Sequence, residues 1–311
     1  MIVTVTPNPS IDRTLRIPAL LEGGLVRART ASAEAAGKGV NVARILALQG
    51  HDATAVVPLS KASAPGFVAL LAGSVAVVTV EIRGDVRINV SLVDDSGVVT
   101  KVNEPGPTLD AHEVEQLLRR TASVAAGAAW VVGSGSLPPG APIDFYARLA
   151  GLVPPGIRLA VDADGEALRA CLAVGPAVAL IKPNHRELEG LVGRPLRTLG
   201  EVRAAGEAVL SHGIGSILVS LGEDGALLVD GSGAVHAEAR IADVANTVGA
   251  GDALLAGFLA AGDGPDALAS AVAWSVAACR SAGTAVRPVR ATDVEAVVVH
   301  PGVAASRALA S

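Results

Sequence analysis

The sequence predicts an α/β protein: a mainly parallel sheet covered by helices on both faces, with a small β appendage. Two observations predict the main sheet. Short apolar runs alternate with Ala- and Leu-rich helical stretches, and Gly- and Pro-rich segments follow several of those runs. A third predicts the appendage: Val86 to Val93 alternates with period two, Asp94-Asp95-Ser96-Gly97 is a turn signal, and Val98 to Val102 returns.

The elements follow in chain order. Residues 1–6 read as a strand. Residues 39–49 carry apolar positions at helical spacing and stop at Gly50. Residues 12–33 show no helical pattern and join 81–105 in the appendage. Further strands are predicted at 129–132, 158–161, 178–181 and 216–219. Helices are predicted near 110–125, 141–151, 198–212 and 265–283. No repeat, low-complexity tract or interdomain linker interrupts the chain, so all 311 residues read as one domain.

Composition excludes several classes of function. Half of the residues are hydrophobic, yet none of the runs reaches the roughly 18 consecutive apolar residues of a membrane span. The N-terminal Met1 to Thr6 lacks the basic flank and long apolar core of a signal peptide, so a cytoplasmic protein with no membrane partner is expected. A formal charge of −5 and an aromatic content of three Phe, two Trp and one Tyr argue against nucleic acid. Cys171 and Cys279 form no CxxC pair and read as buried thiols. The six histidines lack metal-ligand spacing.

Five segments carry candidate chemistry. In Asn246 to Phe258, a small-residue loop runs directly into an apolar helix. Gly249 and Gly251 open the backbone, the first helical amides suit an anion, and Asp252 in the first turn is placed to accept a proton. The same pattern also reads as an ordinary helix cap. Ala36 to Arg44 fails as a P-loop, because Gly39 stands where Ser or Thr would hold magnesium. It reads instead as a Gly-rich helix start at Gly37, with Asn41 for sugar hydroxyls and Lys38 for an anion, or as a plain helix start. Asn184 and Glu187, three apart after Lys182-Pro183, could face one site and organise Mg²⁺ and its waters, or form a capping box, and the two roles can coexist. Val219 to Ala226, with Ser220, Gly222 and Gly225, is a strand, turn and strand that could lie against a nucleotide or be a simple hairpin. Gly133 to Gly140 departs from the G-x-S-x-G nucleophile elbow, and its small hydroxyl residues, Ser136 among them, suit a polyol or form a bare loop.

In this order the segments resemble the PfkB, ribokinase-like carbohydrate kinases. The resemblance runs from Thr6-Pro7-Asn8-Pro9-Ser10-Ile11-Asp12 to the helices after Asp252. It implies a ribokinase-like three-layer α/β/α sandwich with a β lid, at roughly 12–33 and 81–105, over the sugar. It implies that Gly249, Ala250 and Gly251 form an anion hole and Asp252 is the base. Asn184 and Glu187 match the N-x-x-E element, Glu187 acting on Mg²⁺ through water. Lys182, Ser220, Gly222 and Gly225 match ATP-site positions, and Asp12, Gly37, Asn41, Arg87 and Ser136, with Lys38, match sugar-phosphate contacts. The nearest subgroup is 1-phosphofructokinase, which phosphorylates fructose 1-phosphate at its 6-hydroxyl. Tagatose-6-phosphate kinase and the minor 6-phosphofructokinase share most of the motifs. The implied ligands are ATP, Mg²⁺, a sugar phosphate and a monovalent cation such as K⁺. Asn246 departs from the Asp or Ser frequent there. An exposed lid edge would invite a homodimer. Asp252 is expected ionised near its reference pKa. The rival reading, a non-catalytic sugar-phosphate or nucleotide sensor on this fold, would be marked by loss of the base or anion hole, and both are present.

Overall fold

Strand β1 (Ile2–Val5) is buried along its whole length and lies inside the main sheet. The computed structural model describes residues 1–281 and 286–310. After β1 come β2 (Ser10–Arg16), β3 (Thr30–Ala36) and α1 (Lys38–Leu48). Next are β4 (Ala53–Leu59), α2 (Ala64–Leu71), β5 (Ala76–Glu81), β6 (Arg87–Val93) and β7 (Val99–Asn103). The middle of the chain gives α3 (Ala111–Val124), β8 (Trp130–Ser134), α4 (Phe145–Ala150), β9 (Arg158–Asp162) and α5 (Gly165–Cys171). Then follow β10 (Leu180–Ile181), α6 (His185–Val192), α7 (Leu199–Leu210), β11 (Ser216–Ser220), β12 (Ala226–Asp230) and β13 (Gly233–Ala239). The last elements are α8 (Ala250–Ala261), α9 (Gly264–Cys279), α10 (Ala291–Glu295) and β14 (Val297–His300).

The main sheet has ten strands in the order β14-β13-β12-β11-β10-β9-β8-β1-β4-β5. From β5 to β11 neighbours run parallel. Strands β12, β13 and β14 continue the sheet antiparallel. Register is set around β1, where Val5 pairs with Val56 on one side and Gly133 on the other. From β1 the chain steps outward to β4 and β5, then returns across β1 to β8 and steps the other way. The crevice above β1 and β8 is therefore a topological switch point, where open parallel sheets bind ligands at the carboxyl ends of their strands.

Alternation along each strand divides the core into two layers. Val3, Val5, Val131, Leu159, Val161, Ile217 and Val219 face Leu117, Phe145, Tyr146, Leu168, Leu188 and Val202, on α3 to α7. Ile2, Trp130, Val132, Ala160, Leu180 and Leu218 face Val40, Leu46, Phe67, Leu255, Phe258 and Leu268, on α1, α2, α8 and α9. Each large apolar side chain buried this way contributes about 1.5–3 kcal/mol. Burial on both faces is why these strands read as continuous apolar runs.

A second sheet, β3-β2-β6-β7, holds the strands of the two irregular sequence segments. β2 pairs antiparallel with β3 and parallel with β6, and β6 returns as β7. The Asp94 carboxylate accepts bonds from the Ser96 and Val98 amides, which closes the β6–β7 turn. Glu81, placed with the appendage by sequence, instead ends β5 of the main sheet.

Several predicted boundaries move. The helix expected from 141 begins at Phe145, because Pro142 sits in a turn whose carbonyl accepts the Phe145 amide. Pairing of the 178–181 strand is confined to Leu180–Ile181. The helix predicted over 265–283 ends at Cys279, and positions 282 and 283 lie outside the described residues.

Candidate active site

The small residues of 247–251 fold into a bare helix start. Gly249 is the N-cap of α8 with φ 81°, and no side chain caps the helix. The first-turn amides of Gly251 and Asp252 have no intrahelical acceptor, and the positive end of the helix dipole lies beside them. The cap is Gly249, so Gly251 and Asp252 stand inside the first turn and do not cap it. A negatively charged oxygen is the ligand such a helix start accepts.

Asp252 is buried, and its Oδ2 accepts a 2.8 Å hydrogen bond from Asn41 Nδ2. Asn41 is held by the way α1 starts. Thr6, just past the end of β1, accepts the Val40 amide through its Oγ1 at 3.0 Å. A Cβ on Gly37 would meet Thr6 Cγ2 at 2.6 Å, and one on Gly39 would meet Thr6 Oγ1 at 2.6 Å. Both glycines therefore let α1 seat directly against β1. Burial pushes the Asp252 carboxyl up to about 6, and the nearby Asp162 charge adds to this. The Asn41 bond and the ammonium groups of Lys182 and Lys38 pull the other way. This corrects the expectation of a reference pKa: burial raises the group from 3.8 to about 6.

Asp162, the last residue of β9, is fully buried and was not among the residues singled out from sequence. Its Oδ1 accepts a hydrogen bond from Lys38 Nζ at 3.0 Å, and its Oδ2 lies 3.3 Å from Lys182 Nζ without a hydrogen bond of its own. Lys38 also lies 3.9 Å from Glu187 Oε1. Burial by itself would lower the Lys38 pKa, but Asp162 and Glu187 outweigh it and hold the ammonium above the ordinary lysine value. A carboxylate ending an apolar strand, Arg158-Leu159-Ala160-Val161-Asp162, was the available signal, because ligands gather at carboxyl ends.

Asn184 and Glu187 form the capping box of α6: Asn184 Oδ1 accepts the Glu187 amide and Glu187 Oε2 accepts the Asn184 amide. Glu187 Oε1 is left facing Lys38, so the cap also aims a carboxylate at the cluster. Among the described residues no three His, Cys, Asp or Glu side chains form a metal cage. The Asp162 and Glu187 oxygens fit Mg²⁺ held largely by water and phosphate, the way that ion is usually bound. Asp162 Oδ2 accepts no hydrogen bond, although Lys182 Nζ lies 3.3 Å away, so it keeps lone-pair capacity for such an ion.

Ser220 ends β11 and bridges to Asn184, its amide donating to the Pro183 carbonyl at 3.1 Å. Gly222 and Gly225 bound a tight turn with φ 62° and 82°. A Cβ on Gly222 would meet open space, whereas one on Gly225 would lie 2.1 Å from the Ala237 carbonyl oxygen. Ser136 is half-buried in the segment after β8. Lys182 is buried at the end of β10, and its Nζ lies 3.7 Å from where a Gly251 Cβ would be.

Asp12 and Arg87 lie in the second sheet, on β2 and β6. Asp12 Oδ1 accepts from Ser10 and Asn89. Arg87 donates to the Asn8 and Glu104 carbonyls, and its buried Nε has no partner. Burial lowers the Arg87 pKa and Asp12 opposes the change. The residues assigned to the sugar phosphate thus divide: Lys38 and Asn41 lie with Asp162 and Asp252, and Asp12 and Arg87 lie in the second sheet.

One carboxylate able to take a proton, amides open to an anion and two lysines around a second carboxylate make a phosphoryl-transfer constellation. Residues 6–290 match the pfkB family carbohydrate kinase description. The chain belongs to the PfkB family of carbohydrate kinases. This kinase is 37% identical over 258 residues to ATP-dependent 6-phosphofructokinase isozyme 2 of Escherichia coli, covering 82% of this chain and 83% of that protein. It is also 37% identical over 262 residues to 1-phosphofructokinase of Rhodobacter capsulatus, covering 83% of this chain and 82% of that one. Among solved structures, phosphofructokinase-2 from Escherichia coli in complex with potassium superposes with a TM-score of 0.86 at 34% identity, over 94% of this chain and 96% of that one. Among the described residues no helix is long and apolar enough to cross a membrane.

Proposed function

We propose that this kinase transfers the γ-phosphoryl group of ATP to a sugar phosphate, with fructose 1-phosphate the favoured acceptor and its 6-hydroxyl the attacking group. The observation that carries the reading is the position of Asp252, oriented by Asn41 and next to the unsatisfied amides of α8. With a pKa near 6, Asp252 is about nine-tenths ionised at pH 7 and ready to take the hydroxyl proton. As that oxygen attacks the γ-phosphorus in line, the bond to the β-phosphate oxygen breaks and ADP leaves. The amides of Gly249, Ala250 and Gly251 stabilise charge on the transferring group, that of Ala250 in exchange for its 3.3 Å bond to the Thr247 carbonyl, and Lys38 and Lys182 offset the remaining phosphate charge. Mg²⁺, when bound through water to Glu187 and by Asp162, would neutralise phosphate charge. Ser220, Gly222 and Gly225 line the ATP side. A complete base and anion site favours an enzyme over a sensor.

In this reading the whole chain is one kinase domain, and the second sheet is a lid over the sugar. Asp12, Arg87 and Ser136, with Gly37, contact the sugar phosphate. The buried Arg87 Nε that lacks a partner supports the assignment, since a charge-assisted bond to phosphate would satisfy it. A potassium complex of the Escherichia coli structure supports a monovalent-cation site here too. A homodimer through the lid is supported by exposed Val98, Val99 and Val102, on or next to the edge strand β7, and by exposed Leu20, Leu21 and Leu25 in the β2–β3 connection. Because ATP and sugar phosphates are intracellular, the reading places the kinase in the cytoplasm.

A second acceptor, fructose 6-phosphate, is favoured by the equal identity to the 6-phosphofructokinase relative. ADP release with fructose 1-phosphate, fructose 6-phosphate, tagatose 6-phosphate and ribose decides between them. The highest kcat/KM should fall on fructose 1-phosphate. A preference for ribose would overturn the phosphate-contact role of Arg87.

A further inference from the structure

The segment 305–310 lies across two parts of the molecule that are distant in sequence. On one side it is fixed to the start of α7: the Leu199 amide donates to the Arg307 carbonyl and the Gly200 amide to the Ala305 carbonyl, both at 3.0 Å. A Cβ on Gly200 would lie 2.7 Å from the Ala305 carbonyl oxygen, so this contact is close. The Leu309 amide returns to the Arg197 carbonyl at 2.9 Å.

On the other side the segment grips the turn between β11 and β12. Arg307 Nη2 reaches Asp224 Oδ1 at 3.1 Å and Glu238 Oε2 at 2.6 Å. The Ala310 amide donates to Asp224 Oδ2 at 2.7 Å. Asp224 is 6% exposed, and its carbonyl is 2.7 Å from His236 Nε2. The turn itself is short. The Asp224 amide bonds the Leu221 carbonyl, and the Leu221 amide bonds the Gly225 carbonyl at 2.8 Å. Gly225 is seated against the Ala237 carbonyl and Glu238 Cα of β13. Moving Asp224 therefore moves Gly222 and the end of β11 at Ser220, which is itself bridged to Asn184.

We propose that Arg307 is a positioning residue for ATP, holding the 221–225 turn in its nucleotide-accepting shape through Asp224 and Glu238. The inference rests on the assignment of Ser220, Gly222 and Gly225 to the ATP side. Arg307 touches no reacting atom, so its loss acts on ATP binding and leaves the sugar-phosphate side alone. Both ion pairs are made by one nitrogen, so a lysine ammonium can replace part of the function, and alanine none.

The test measures KM for ATP, KM for the sugar phosphate, kcat and Tm in Arg307→Ala, Arg307→Lys, Asp224→Asn and Gly222→Asn. The last variant is a control: Asn tolerates a left-handed backbone, and its side chain enters open space on the turn. Arg307→Ala is expected to raise KM for ATP about 3- to 10-fold, the scale of coupling through such networks. KM for the sugar phosphate and kcat should hold within about 2-fold, and Arg307→Lys should recover part of the loss. Asp224→Asn should resemble Arg307→Ala. A fall in Tm with unchanged KM for ATP in Arg307→Ala, while Gly222→Asn raises it, makes the strap merely structural and overturns the proposal. If Gly222→Asn also leaves KM for ATP unchanged, the ATP-side assignment fails and the proposal fails with it.

Discussion

Asn41 of α1 donates a 2.8 Å hydrogen bond to Asp252 in the first turn of α8, so the two helix starts meet at the carboxylate proposed as the base. The bond favours the ionised form and opposes the upward push of burial on the Asp252 pKa. Asn41→Leu removes it. A bond to a charged group is worth about 1.5–3 kcal/mol, which corresponds to roughly 1–2 pH units. The acid limb of kcat/KM, expected near pH 6 in the parent enzyme from the Asp252 pKa, should move toward higher pH by about that amount. A pH profile from 5 to 9 checks this, and an unmoved limb would assign the titration to another group.

Asp252→Asn separates chemistry from stability. Turnover should fall about 10²–10⁴-fold with loss of the general base. Stability should change in the opposite sense. The folded pKa of about 6 lies above the ordinary aspartate value of 3.8, so the stability tied to this group is full below about 3.8 and lost as pH rises through 6. The ionised form therefore costs the fold about 2–3 kcal/mol above pH 6, by the size of the shift. Asn carries no such penalty. Urea unfolding should find the variant more stable at pH 8, with the gain vanishing toward pH 4. Equal stability at both pH values would contradict the buried charge.

The parallel sheet and the helix starts were legible because they are local. Apolar runs mark strands buried on both faces, and Gly249 to Asp252 and Asn184 to Glu187 are read within one turn. The grouping of charges was not legible. Asp162 meets Lys38 across 124 positions of sequence, and only the switch-point topology brings β9 to the start of α1. For the same reason the shifted pKa of Asp252 escaped sequence reading, since it arises from burial and from a carboxylate on another strand. Glu187 shows a third case: the Asn184–Glu187 spacing allows a capping box and a site-facing oxygen together, and the structure gives Oε2 to the cap and leaves Oε1 3.9 Å from Lys38.

Asp162 is predicted to influence both stability and titration. Asp162→Asn leaves Lys38 and Lys182 without the carboxylate between them. Breaking a buried pair by removing one partner costs about 3–5 kcal/mol. The half-exposed Lys38 can turn to solvent, so the lower end is expected. The same change removes a negative charge that raises the Asp252 pKa, so the acid limb of the rate profile should move to lower pH. This direction is opposite to that for Asn41→Leu. A shift toward higher pH in both variants would rule out the electrostatic account of Asp252.

The two turn glycines should differ sharply in their response to one added methyl group. Both have positive φ, 62° at Gly222 and 82° at Gly225, which costs a non-glycine residue about 1–2 kcal/mol. At Gly222 that is the whole cost, because the new Cβ meets nothing within 4 Å. At Gly225 the Cβ would lie 2.1 Å from the Ala237 carbonyl oxygen and 2.7 Å from Glu238 Cα. Both are backbone atoms of β13, where Ala237 pairs with β12 and Glu238 with β14, so relief requires shifting β13 or unseating the turn. Gly225→Ala should therefore lower the unfolding midpoint well beyond Gly222→Ala and raise KM for ATP, as the turn detaches from β13. Thermal unfolding of the pair measures the contrast. Equal midpoints would mean that β13 yields at Ala237 and that the close seat of the turn is not what holds it.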